Sequence, residues 1–269
     1  MKSRSSQFFF RRGESPDSPG IVGRVTDPHP TILWKRRGGC VTRPANGIKA
    51  ILVAGVCGIF ASFSFAQQTA PSSKLTIALL KYDGGGDWYS AAAAVANLQK
   101  FIGENTNVAV QPMPAQVDAK SAELFSYPII FANGHGNIYF SEQEVANLRA
   151  YLTSGGFLFA NDDYGMDKPF RHEMKRIFPD AQLVELPFDH PIYHIYYEFK
   201  NGLPKIHEHD KLPPQGFGLF YEGRLVVFYD YQCDLGDGWE DEDVHHDPIE
   251  KRRAALQMGT NVILHALTH

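Results

Sequence analysis

Short apolar blocks alternate with amphipathic stretches from Leu75 onward, and that alternation sets the first expectation of the fold. Leu75–Tyr82 (LTIALLKY) is almost continuously apolar, as a strand buried on both faces must be. Tyr127–Ala132 and Phe157–Ala160 repeat the pattern, and the blocks Val108–Val110 and Ala181–Leu186 add two more strands. Between them lie helical spacings. One runs through Ala92, Val95, Leu98 and Phe101; another opens on a Ser141/Glu144 capping box and stops at Gly155-Gly156; a third lies near Phe170–Ile177. Ser121–Phe125 is long enough for a brief helix only. Gly216–Tyr221 and Arg224–Tyr229 flank Glu222-Gly223 as the arms of a hairpin, and a last helix runs from Pro248 in its first turn to Leu267.

Buried strands alternating with helices predict an α/β three-layer sandwich over residues 75–269, a single domain with a mostly parallel central sheet and a late β-hairpin. In such sheets ligands bind at the carboxyl ends of the strands. Polar residues immediately after strands therefore become the candidates for chemistry.

The preceding region reads differently. Residues 1–47 are rich in Arg, Pro, Gly and Ser without hydrophobic period, and are expected to be disordered. Residues 48–66 carry the apolar run Ala50–Ala66, a basic flank, and small residues Ser64 and Ala66 before Gln67, the pattern of a signal peptide. An uncleaved anchor is the alternative. Residues 67–74 are a polar linker. The expected address is exported, periplasmic or secreted, with membrane contact only through the signal peptide. After cleavage residues 67–269 keep 16 basic and 27 acidic side chains, a net charge of −11. That charge argues against nucleic acid as a partner. Cys40 and Cys57 leave with the leader, so Cys233 has no disulfide partner and packing must supply stability.

Five groups carry the candidate chemistry. Asp83, Gly84–Gly86 and Asp87, before Trp88 and Tyr89, form a turn that fits a ligand loop or a tight turn capped by Asp87; it lacks the spacing of a phosphate loop. His135 between Gly134 and Gly136 stands where a strand-to-helix elbow would present it, for metal ligation or proton transfer, or as a plain turn residue. Asp162-Asp163 and Asp189-His190 follow strands and suit a divalent cation or acid–base work, while Asp also caps helices and turns. No His-x-x-x-His or Cys-x-x-Cys spacing supports a metal, so no cofactor is assigned. Asp230–Asp247 holds eight acids and His245-His246 without the order of a calcium loop, and reads as solvated.

The order of Tyr82–Tyr89, Tyr127-Pro128, Gly134-His135, Ser141/Glu144, Gly155-Gly156-Phe157, Asp162-Asp163, Phe178-Pro179, Asp189-His190-Pro191, Gly223-Arg224 and Asp234–Glu240 resembles the bacterial family called domain of unknown function 4159. The resemblance implies a sheet like that of flavodoxin or the class I glutamine amidotransferases, in exported or membrane-linked proteins, and no particular activity. Where amidotransferases place a Cys at the elbow this chain has His135, so thioester chemistry is not expected.

Two functions follow. The first is a ligand-binding or accessory module of the cell envelope, with a small molecule or glycan held by Asp83, Asp87, Trp88, Tyr89, Tyr193, Arg224, Asp234, Asp237, Trp239 and Glu240. The second is a metal-assisted or Asp/His hydrolase built on His135, Asp162, Asp163, Asp189 and His190. Convergence of His135, Asp162 and His190 in one pocket would favour the second; placement in separate turns would sink it.

Overall fold

The computed structural model describes residues 74–269. The N-terminal extension, the signal-peptide segment and the linker up to residue 73 lie outside the described residues. Among those described, no helix is long and apolar enough to cross a membrane.

Seven strands form one sheet: β1 (Ile77–Lys81), β2 (Ala115–Asp118), β3 (Ile129–His135), β4 (Phe157–Tyr164), β5 (Val184–Glu185), β6 (Gln215–Tyr221) and β7 (Arg224–Tyr231). Their order is β2-β1-β3-β4-β7-β6-β5. The first five are mutually parallel, while β6 and β5 add antiparallel at the β7 edge. The parallel part has the flavodoxin strand order, which reverses direction between β1 and β3 and opens a crevice there.

Alternating side chains feed two cores. Ile77 and Leu79 of β1 point with Phe131, Phe159 and Phe228 toward α1 (Ala92–Asn105) and α5 (Ile249–Thr268), where Val95, Leu98, Met258 and Val262 close the layer. Ala78 and Leu80 point the other way with Ile130, Leu158 and Val227, against Leu148 and Leu152 of α2 (Glu142–Thr153) and Phe170 and Met174 of α3 (Asp167–Ile177). Each fully buried Leu, Val or Phe contributes roughly 1.5–3 kcal/mol, so the two cores outweigh any single polar contact. A short α4 (Glu242–His245) precedes α5. The Ser141/Glu144 capping box is present at α2, a contribution of about 1 kcal/mol.

Three boundaries differ from the sequence expectation. The second strand is Ala115–Asp118, beyond the two prolines, because Val117 rather than Val110 is buried beside Leu80; Val110 makes only an isolated bridge to Leu75. The fifth expected strand shrinks to Val184–Glu185, an exposed edge pair. Strands β3 and β4 run on through His135 and Tyr164, so their polar residues are the last rungs of the ladder rather than loop residues.

Candidate functional site

Strand register assembles the site. Asn133 of β3, Asn161 of β4 and Asp230 of β7 are direct neighbours in one row across three parallel strands. Side chains alternate along a strand, so Asp163 emerges on the same face as Asn161 while Asp162 emerges on the other. A register shift after Gly134 sets His135 opposite Tyr164 and aims the imidazole over Asp163.

Asp163 is buried and held from both sides. Its Oδ2 accepts from Asn133 Nδ2 at 3.0 Å and its Oδ1 from Asn161 Nδ2. Asn161 Oδ1 in turn accepts the Gly236 N–H at 3.0 Å, tying β4 to the loop after β7. His135 Nδ1 lies 3.8 Å from Asp163 Oδ2 and 3.1 Å from Asp87 Oδ2, and its backbone N–H donates to Asp87 Oδ1 at 2.6 Å. Asp87 therefore does not cap α1; it anchors the end of β3. Gly134, at φ +147°, makes this approach possible, since a Cβ there would collide with the Tyr82 hydroxyl and lie 2.8 Å from Asp87 Oδ1.

The loop after β7 completes the crevice. Asp234 is buried at φ +62°, a left-handed conformation that Asp tolerates better than most residues. His207 Nδ1 sits 2.8 Å from Asp237 Oδ2 and 3.4 Å from Asp234 Oδ2, and its Nε2 is 2.9 Å from Asp247 Oδ2. His209 Nε2 approaches Asp234 Oδ2 at 3.2 Å, and His245 Nε2 approaches Asp237 Oδ1 at 3.5 Å.

The electrostatics are those of crowded carboxylates. Burial pushes the Asp163 carboxyl well above its ordinary value, and the charges of Asp234 and Asp237 add to it. Asp230 is fully buried and also pushed well up, by burial and then by Asp234, Asp163 and Asp162. Neither Asp230 oxygen has a hydrogen-bond partner; the Leu235 N–H is near enough to offset the shift slightly, without hydrogen-bond geometry. Asp234 is raised by burial, which hydrogen bonds from His207 and His209 oppose, and its Oδ1 has no partner either. Hydrogen bonds to Asp234 and Asp237 push His207 up to about 10. Burial would raise Asp237 too, yet His207 and His245 hold it below its ordinary value. In Asp87 the His135 N–H and imidazole likewise outweigh partial burial and lower the carboxyl.

Three donor triplets result, each with its atoms within 4.8 Å of one another: Asp87, His135 and Asp163; Asp163, Asp234 and Asp237; His207, Asp237 and His245. Imidazole nitrogens and carboxylate oxygens in this mixture suit Zn²⁺ or Mn²⁺. Asp234, a member of the second triplet, keeps one buried oxygen without a hydrogen-bond partner and so has a lone pair free for a ligand, whereas partnerless Asp230 belongs to no triplet.

The other expected residues lie elsewhere or serve the frame. Asp162 accepts the Met166 N–H at 2.8 Å and the Tyr229 hydroxyl at 3.2 Å, closing the turn into α3. His190 accepts the Ile192 N–H at 3.2 Å and packs on Phe220 and His265, while Asp189 is exposed beside it; neither joins His135. The expected convergence of His135, Asp162 and His190 is thus absent, and a hydrolase built on that set fails with it. Arg224 donates to the Gly156 and Leu152 carbonyls at the opposite end of the sheet. Trp239 and Tyr193 are core residues, Trp239 donating to the Ala255 carbonyl at 2.9 Å. Asp83 is exposed with its backbone paired to Tyr139, Tyr89 is exposed against Trp88, and Lys81 lies over the Trp88 ring. Burial raises the Glu240 carboxyl, and the backbone of Glu240 accepts from Arg252. Cys233 is buried, its Sγ 3.0 Å from the Pro204 carbonyl, and burial pushes the thiol far up, which disfavours a thiolate nucleophile. The sequence expectation leaves out His207, His209, Asn133 and Asn161, and it takes Asp230–Asp247 for a solvated loop, whereas Asp230 and Asp234 are buried. His207-Glu208-His209 was the available signal, since alternate residues of an extended segment share a side.

Fold and site together define an α/β domain of flavodoxin strand order, with carboxylates and imidazoles gathered at the carboxyl ends of its parallel strands. By sequence, residues 76–267 match the family model described as Domain of unknown function (DUF4159), and the chain belongs to that family. No curated protein matches the chain significantly.

Proposed function

We propose that this domain is a metal-assisted hydrolase of the bacterial cell envelope. One observation carries the reading: carboxylates and imidazoles from the ends of β3 and β4, three loops and the short helix α4 meet in interlocking donor triplets, with an oxygen of buried Asp234 left partnerless. A bound divalent cation supplies a water acidified toward neutral pH and a Lewis acid for the substrate oxygen. The protein's own work is to hold the donors: Asn133 and Asn161 orient Asp163, Asp247 orients His207, and Asp87 fixes the end of β3. The His135 side chain is 59% exposed, so a small molecule or glycan fragment reaches the crevice from that rim. The glycan-binding reading takes second place, because Trp239 and Tyr193 are core residues rather than a stacking surface.

Export is part of the proposal and rests on the Ala50–Ala66 pattern. Intact mass of the protein from the native host is expected to begin near Gln67; retention of residues 1–66 ends that part. For the reaction, full chain stripped by chelator and reloaded with Zn²⁺ or Mn²⁺ is assayed on aryl phosphate, ester, peptide and glycoside substrates. Turnover only in the reloaded protein is expected. A protein that binds neither ion overturns the reading, as does turnover that survives complete stripping.

A further inference from the structure

We propose that the crevice takes two divalent cations, with Asp234 as the carboxylate shared between them; this rests on the metal reading above. The donors divide into two sets. Asp87, His135 and Asp163 form one, and His207, Asp237 and His245 form the other. Each contains imidazole nitrogen and carboxylate oxygen, so neither needs a ligand from the other. The seven donors do not all lie within 4.8 Å of one another, whereas the donors of one ion, at bonds of about 2.0–2.2 Å, must. A single cation therefore leaves part of the constellation unused.

The two sets are nevertheless adjacent. Asp163 from the first and Asp237 from the second share the third triplet with Asp234, again within 4.8 Å. That is the layout of paired-ion sites, in which carboxylates span metals about 3.5–4 Å apart. Asp234 has the free valence for it. One of its oxygens faces His207 and His209, and the other is buried without a partner. Its side chain is buried and its backbone left-handed, a conformation that the surrounding structure must hold in place.

Metal stoichiometry tests this directly. Full chain is stripped, reloaded with Zn²⁺ or Mn²⁺, and its metal measured against protein by elemental analysis. The count is taken relative to the variant carrying Asp87→Asn, His135→Gln, His207→Gln and His245→Gln together, which removes ions held by residues 1–66 from the tally. Two equivalents are expected. Asp87→Asn with His135→Gln is expected to hold one, and His207→Gln with His245→Gln the other. The Mn²⁺ protein is expected to show an exchange-coupled electron paramagnetic resonance spectrum that Asp234→Asn abolishes. One equivalent in the wild type overturns the pair and leaves the metal reading standing; zero overturns both. Two equivalents without coupling overturn the shared Asp234. Should the double variants fail to fold, the single change Asp87→Asn, at a half-exposed residue, decides. Weakening of one of two calorimetric binding steps supports the pair, and weakening of a single step overturns it.

Discussion

Two histidine clusters occupy opposite ends of α5, and their difference locates the site. Near the start of α5, His207, His209 and His245 stand among Asp234, Asp237 and Asp247, and His207 is pushed up to about 10. At the other end, His190 lies tilted against His265 and His265 stacks on His269, with no carboxylate in salt-bridge reach among the described residues, and burial drives His265 down to about 4, with the neighbouring imidazoles adding to the fall. The residue type is the same. Partner charge decides whether the imidazole behaves as a captive cation or as a neutral packing group. Only the first arrangement has anything to exchange for a metal ion.

The largest expected effect comes from Asp163, which borders Asp234 and Asp237 of the first cluster. Asp163→Ala is expected to lower Zn²⁺ or Mn²⁺ affinity at least about 100-fold by calorimetry. It also leaves the Asn133 and Asn161 amides without their acceptor, at a cost of about 1–3 kcal/mol in unfolding free energy. Asp163→Asn separates the two losses. It removes a charge from among Asp234 and Asp237, so the metal-free protein is expected to hold its stability or gain up to about 2 kcal/mol while metal binding still fails. If both variants melt lower and bind metal normally, Asp163 is a turn residue and not a metal ligand.

A smaller effect sharpens the contrast from the other end. His265 has a depressed folded value, so its neutral form stabilises the fold fully above about pH 6.5, and that contribution fades as pH falls toward about 4. Denaturant unfolding is expected to lose on the order of 2 kcal/mol over that window. His265→Phe should flatten the loss, and an unaltered slope in that variant would assign the acid sensitivity elsewhere. In the metal-free crevice the sign is reversed: raised Asp163, Asp230 and His207 all favour the protonated folded state, and their stabilisation is lost as pH rises.

The smallest effect concerns Cys233. With its Sγ buried against the Pro204 carbonyl, Cys233→Ser is expected to leave any turnover within a few-fold and to shift stability by about 1 kcal/mol. A thousandfold loss of rate without unfolding would return a thiol nucleophile to consideration.

The fold was legible because its strands are apolar on both faces and its turns carry strong signals. Leu75–Tyr82, the Ser141/Glu144 box and the Glu222-Gly223 hairpin all stand where the pattern places them. The second strand was not legible, since Ala115–Asp118 has one buried side chain, Val117, and no run of its own. The site was half legible. His135, Asp163, Asp234 and Asp237 come together because strand ends do so in any parallel sheet. Asp162 and His190 failed for local reasons: adjacency in sequence puts Asp162 on the opposite face, and the loop after β5 carries His190 to the far end of α5. His207 and His209 come from a loop with no apolar period, where single-chain patterning is blind to which strand ends they will meet.

Trp239, two residues beyond Asp237, is wedged among Phe131 and Phe159, with ring centroids 5.3 and 5.6 Å away, and its indole N–H is bonded to α5. The segment bearing Asp234 and Asp237 is thereby riveted to the densest part of the interior. Its amides should exchange with solvent on the slow timescale of global unfolding, whereas most active-site loops breathe locally. A crevice built this way has no lid on that side. The exposed His135 side chain forms one rim, and the segment Gly136–Ser141 beside it is where lengthening the chain would reshape what the domain admits.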